Sequence, residues 1–178
     1  KMKKFFLLVP FIIFFIFLII FFYFLIIDRD PSEIPSALIE KKVPTFTTSS
    51  LFNKDDFISS REFGEQITLV NFFATWCVPC RIEHDYLQRF SNDKKIKIIG
   101  INYKDESLKA IQWLEELGNP YTSVAVDSNG QIAINWGVYG IPETFIINKN
   151  KTILYRLVGP ITEKKYDELY VIINKYSQ

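Results

Sequence analysis

Residues 67–73 read ITLVNFF, a continuous run without a charge that is rich in β-branched and aromatic side chains. Such a run is the pattern of a central strand covered on both faces. The sequence around it supplies the cover. Residues 77–90 read as a helix with Ile82, Tyr86, Leu87 and Phe90 on one face, and residues 96–103 as a second buried strand. Residues 107–117 read as a helix facing inward through Leu108, Ile111, Leu114 and Leu117, stopped by Gly118 ahead of Pro120. A short strand at 123–126 leads to a turn at 127–130 and a brief helix at 131–136. Strands at 144–147 and 152–158 then flank a turn at 148–150. The last helix is amphipathic, with Tyr166, Leu169, Tyr170, Ile173 and Tyr176 on its inner face. This order gives an α/β sandwich, its parallel half completed by an antiparallel hairpin.

A second feature divides the chain. Residues 5–27 carry no charge and are interrupted only by Pro10. At ~1.5 Å rise per residue, a helix of that length exceeds the roughly 30 Å hydrocarbon core of a bilayer. A cleavable signal peptide has a shorter apolar region, ending in a small-x-small site. Here Asp28, Arg29, Asp30 and Pro31 follow instead. The expectation is an uncleaved, single-pass anchor. Lys1, Lys3 and Lys4 precede the run, whereas Asp28, Asp30 and Glu33 follow it, so the positive-inside rule places residues 1–4 in the cytoplasm as a tail. Residues 28–44, with Pro31, Pro35 and Pro44, read as a tether, and residues 45–178 as the folded domain.

The charge balance excludes some partners. Lys and Arg total 21 against 20 for Asp and Glu, which leaves no basic surface for a nucleic acid and no acidic disordered tail. With two Cys, one His and one Met there is little material for a metal centre, and no cofactor is expected.

Both cysteines fall in Trp76-Cys77-Val78-Pro79-Cys80, where the central strand gives way to a helix. Cys77 at a helix N-terminus meets unpaired N–H groups and the positive end of the dipole, which stabilise a thiolate. One turn of helix brings Cys80 within bonding range, and Pro79 is acceptable in a first turn. Three readings compete. A purely structural bridge across two residues removes little chain entropy. A metal site could use Cys77, Cys80 and His84 on one helical face, but no further His or Cys completes the shell, and His84 reads as solvent-facing. Thiol–disulfide exchange fits best: Cys77 attacks a client disulfide, and Cys80 resolves the mixed disulfide, leaving Cys77–Cys80 oxidised.

The segment from Phe72 through Cys80 resembles the thioredoxin superfamily. Further blocks narrow the likeness: Cys80-Arg81-x-Glu83-His84, Gly100 to Asp105, Gly118-Asn119-Pro120-Tyr121, and Gly137 to Phe145, which reads GVYGIPETF. Together these resemble the membrane-anchored cytochrome c biogenesis thioredoxins, the DsbE/CcmG family, over roughly residues 43–160. The resemblance implies a thioredoxin-like three-layer sandwich with a mixed sheet behind an N-terminal transmembrane helix. It implies a periplasmic domain on the bacterial inner membrane that keeps the haem-binding cysteines of apocytochrome c reduced. Its partners would be apocytochrome c or a dithiol protein of the haem-ligation machinery, with a membrane electron donor of the DsbD/CcdA type. An anchored reductase with another extracytoplasmic client, or a metal-binding or apoprotein-holding module, is the alternative.

The resemblance also distributes roles. It implies a cis bond between Ile141 and Pro142, opposite the cysteines, where adjacent backbone can pair with an extended client segment. Trp76 and Tyr139 read either as contact surface flanking the sulfurs or as core packing. Glu83 and Glu143 match acidic positions of the family, and a carboxylate near a thiol disfavours its thiolate, giving a more reducing couple; the alternative for each is a solvated surface carboxylate. Thioredoxin carries an Asp six residues before its first active-site Cys; this chain has Asn71 there, so deprotonation of Cys80 falls to Glu83, Glu143 or water.

Overall fold

The computed structural model describes residues 2–26 and 37–177, which fall into two units. The first holds helix α1 (Met2–Ile26), which takes in Lys3, Lys4 and residues 5–26 of the uncharged run and contains Pro10. Side chains are described within it for residues 9–24 only. Among the described residues no helix is long and apolar enough to cross a membrane, so the anchor stays a reading of the sequence. Most of the expected tether, residues 28–36, lies outside the described residues.

The second unit runs β1 (Thr47–Ser49), β2 (Phe57–Ser59), β3 (Ile67–Phe73), α2 (Val78–Ser91), β4 (Ile96–Tyr103), α3 (Ser107–Leu117), β5 (Ser123–Asp127), α4 (Gln131–Asn135), β6 (Glu143–Ile147), β7 (Ile153–Val158) and α5 (Glu163–Tyr176). Its main sheet has the order β5-β4-β3-β6-β7. Strand β3 pairs parallel with β4 and antiparallel with β6, and it is buried along its whole length, as its composition requires. The mixed sheet is therefore parallel on one side of β3 and antiparallel on the other.

Alternation along β3 sends side chains into two cores. Leu69 and Phe73 join Leu87 and Phe90 of α2, Leu114 of α3, and Leu169 and Ile173 of α5. Val70 and Phe72 face the opposite way, against Phe63, Ile132 and Trp136. Trp136 is fully buried, with Phe63, Phe72 and Phe145 edge-on around it. At roughly 1.5–3 kcal/mol for each large apolar side chain removed from water, these two layers hold the sheet between helices. The result is the thioredoxin-like α/β fold.

Several expected details differ. Ile82 and Leu108 are exposed; α2 instead faces the core through Cys80, Glu83, His84, Leu87 and Phe90, and α3 through Ala110, Trp113 and Leu114. Of the expected inner face of α5, Leu169 and Ile173 are buried while Tyr170 and Tyr176 reach solvent. Residues 37–44, read as the end of the tether, belong to the domain edge: Glu40 and Val43 donate backbone hydrogen bonds to Ile153 and Lys151, and Val43 is buried. The small β1–β2 hairpin has no counterpart in the sequence reading.

Candidate functional site

The chain leaves β3 at Phe73 and turns into α2 with Cys77 as the N-cap. Cys77 and Cys80 are joined by a disulfide, with Cα atoms 5.3 Å apart. The Cys80 backbone N–H donates to Cys77 Sγ at 3.2 Å. That N–H belongs to the first helical turn and has no partner within the helix, so in the reduced protein it faces the Cys77 sulfur and favours its thiolate. Both sulfur-bearing residues are nearly buried, at 5% exposure for Cys77 and 1% for Cys80. Their surroundings are open, because Trp76, Val78 and Ile82 are all exposed. Tyr139 is exposed as well, and Pro142 is buried behind the cis Ile141–Pro142 bond.

Behind the cysteines the structure places a buried polar chain. Glu83, one turn along α2 from Cys80, has no solvent exposure. Its Oε1 accepts from Asn71 Nδ2 at 2.8 Å and its Oε2 from the Ile161 backbone N–H at 2.9 Å. Asn71 Nδ2 also donates to Thr144 Oγ1, and Asn71 Oδ1 accepts from Tyr121 Oη. Tyr121 reaches this position by lying on β4 at Gly100, where an added Cβ would come within 2.9 Å of Phe73 and 3.1 Å of Tyr121 itself. Burial pushes the Glu83 carboxyl up from 4.5 to about 8, against the opposing pull of the Ile161 and Asn71 hydrogen bonds. At neutral pH this carboxyl is therefore mostly protonated. The charge repulsion expected from the sequence operates only as the pH approaches that value.

Glu143 faces the side of the sheet away from α2. Along β6 it shares a face with Phe145 and Ile147, which belong to the core opposite α2; Thr144, not Glu143, points toward Asn71. Arg156 of β7 grips Glu143 with two hydrogen bonds, Nε to Oε2 at 2.7 Å and Nη2 to Oε1 at 3.0 Å. The pair is buried, its side chains 6% and 0% exposed. Arg156 also donates to the Gly137 carbonyl and lies beneath the Tyr139 ring, 5.0 Å from its centroid. The ion pair so formed ties the 137–143 loop to β7, whose register sets Arg156 opposite Phe145, a pairing that sequence periodicity does not give.

His84 is buried, not solvent-facing. Its Nε2 lies 2.8 Å from the Gly118 carbonyl and its ring stands edge-on to Trp113. Burial lowers its pKa, the main effect, so the neutral imidazole is favoured. Committed to Gly118, His84 does not join the cysteines in a ligand set, and the three-residue metal reading loses its third member.

Comparison with known proteins agrees with this arrangement. The Redoxin family model matches residues 39–170. The chain is 40% identical over 182 residues to the thiol:disulfide interchange protein DsbE of Escherichia coli K12, covering 99% of this chain and 98% of that one. The chain belongs to the DsbE family of thiol:disulfide interchange proteins. Another relative, the thiol:disulfide interchange protein CycY of Rhizobium leguminosarum bv. viciae, is 44% identical over 134 residues, covering 75% of this chain and 72% of that one. In fold, a secreted thiol-disulfide isomerase from Corynebacterium glutamicum superposes with a TM-score of 0.71 at 21% identity, over 84% of this chain and 96% of that one. The chain is a thiol–disulfide oxidoreductase whose redox pair is Cys77–Cys80.

Proposed function

We propose that this DsbE-type protein is a membrane-anchored reductant, held by residues 5–27 with its domain in the periplasm, that keeps the haem-binding cysteines of apocytochrome c as thiols. In the reduced form Cys77 attacks a client disulfide, forming a mixed disulfide and releasing one client thiolate. Cys80 then loses its proton and attacks Cys77 Sγ, the second client thiol leaves, and two electrons have passed from the dithiol to the client. Glu83, buried one turn from Cys80 with its carboxyl pushed up to about 8, is suited to exchange that proton near neutral pH. Trp76, Tyr139, Ile141 and Pro142 would form the client's seat, Glu143 acting on it through the loop that Arg156 holds.

The observation that carries this reading is the presence of an oxidisable pair in a chain whose residues 5–27 form an uncharged run of bilayer length. An exported compartment is oxidising, so a dithiol there stays reduced only if electrons cross the membrane to it. A DsbD/CcdA-type donor would supply them, and the anchor would concentrate the protein beside both donor and client.

The test uses full-length Cys80→Ser protein and an oxidised C-x-x-C-H peptide, with unrelated disulfide peptides as controls. Preferential trapping of the C-x-x-C-H peptide as a mixed disulfide is expected. Equal trapping of every peptide would remove the apocytochrome client and leave a general anchored reductase; trapping of none would remove the reductase reading.

A further inference from the structure

We propose that Asp105 is a positioning residue for the redox step, clamping the turn that carries Cys77 to the N-terminus of α2. This inference rests on the dithiol chemistry of Cys77 and Cys80 and not on the client proposed above. Asp105 stands in the loop between β4 and α3, and its carboxylate takes four hydrogen bonds. Oδ2 accepts from the Thr75 backbone N–H at 2.6 Å and from Asn102 Nδ2 at 3.1 Å. Oδ1 accepts from Thr75 Oγ1 at 2.8 Å and from the Glu106 backbone N–H at 2.9 Å. Thr75 is thus held by both backbone and side chain, two residues before the attacking sulfur.

A second fixing point lies beside the first. The indole Nε1 of Trp76, the residue directly before Cys77, donates to the Lys104 carbonyl at 3.2 Å. Lys104 itself has φ of +45°, in the left-handed region that non-glycine residues rarely enter, and its N–H is tied to the Asp127 carbonyl at the end of β5. A strained residue fixed from both sides marks a segment whose geometry is over-determined. Thr75 and Trp76 are therefore sewn to one loop, so the Cys77 sulfur cannot swing away from the helix N–H groups that stabilise its thiolate. The other charged groups in this crevice are Lys104, Glu106 and Lys109, the last two paired with each other at 2.7 Å.

The sign of one measurement separates positioning from charge. If Asp105 acted by its own negative charge, neutralising it would favour the Cys77 thiolate. If it acts as a clamp, releasing the turn disfavours that thiolate. A helix N-terminus favours an anion by an amount equal to about two- to fivefold in an equilibrium. The experiment alkylates reduced full-length protein with iodoacetamide across a pH series and maps the rate at Cys77 by mass spectrometry. Asp105→Asn and Asp105→Ala are expected to move the half-titration of Cys77 upward, slowing alkylation on the acid side by about two- to fivefold. The limiting rate at high pH, where the thiol is fully ionised, stays as in the parent. Thr75→Val keeps the carboxylate and deletes one of its bonds, so it should shift the titration in the same direction by less; it decides the matter if the Asp105 variants do not fold. Thr75→Ser restores the hydroxyl and should restore the parent profile. An unchanged or downward shift in the folded variants overturns the proposal, whereas a parent protein whose sulfurs resist reduction would fail on the chemistry itself.

Discussion

Replacing Glu83 by Gln tests the buried network behind the cysteines through the pH dependence of stability. In the unfolded chain the Glu83 carboxyl gives up its proton above 4.5; in the folded protein it keeps it until about 8. The folded state binds the extra proton throughout that interval, so the stability contributed is complete below 4.5 and is lost as the pH rises through about 8. The loss is about 1.4 kcal/mol per pH unit, hence about 5 kcal/mol across the whole window. That is a large part of the 5–15 kcal/mol by which domains are ordinarily stable. Gln cannot ionise, and it can present an oxygen to only one of the two donors, Asn71 Nδ2 and the Ile161 N–H. Glu83→Gln should therefore be less stable than the parent at low pH by about 1–3 kcal/mol, and more stable above the upper end of the window. The assay is guanidinium unfolding of oxidised full-length protein in mild detergent, read by tryptophan fluorescence over a pH series. Oxidation removes the two thiols from the titration. Stability curves that run parallel for parent and variant would refute the reasoning, because they would show that Glu83 titrates alike in both states.

Two further substitutions address neighbouring groups. Arg156→Met leaves Glu143 buried without its cation, and should cost about 3–5 kcal/mol in the same unfolding assay, with Arg156→Met/Glu143→Gln recovering most of the loss; no loss in the single variant would mean that the pair is not needed to hold the loop. Asn71→Asp turns the donor facing Glu83 Oε1 into a second carboxyl, so the two should titrate as a pair and lose about 2 kcal/mol or more relative to the parent on the alkaline side, less on the acid side. A uniform loss at every pH would contradict that coupling.

Much of the fold is legible in the sequence, for particular reasons. Strands β3 and β4 and helix α3 fall on the residues expected, because predominantly apolar runs and the Gly118–Pro120 stop are strong local signals. The hairpin of β1 and β2 escapes notice because three-residue strands carry too little periodicity. The faces of α2 and α3 are harder still. Ile82 and Leu108 are apolar yet exposed, while Glu83 and His84 are polar yet buried, and only the position of the sheet decides which stripe turns inward. At the site, the cysteine pair follows from spacing alone. That Glu143 belongs to the far side of the sheet follows from period-2 alternation with Phe145, a signal present in the sequence but outweighed by its place beside Pro142. The pairings of Asp105 with Thr75, 30 residues away, and of Arg156 with Glu143, 13 residues away, have no local pattern in the sequence to give them.

The central claim concerns the direction in which electrons move, and the redox state of the pair in living cells tests it most directly. Cells are quenched in acid, the free thiols are tagged with a mass-shifting maleimide, and the full-length protein is resolved by size. Cys77 and Cys80 are predicted to be found mainly as dithiol, and to shift to the disulfide when the membrane electron supply is removed. A pair that stays bonded with that supply intact would contradict the account.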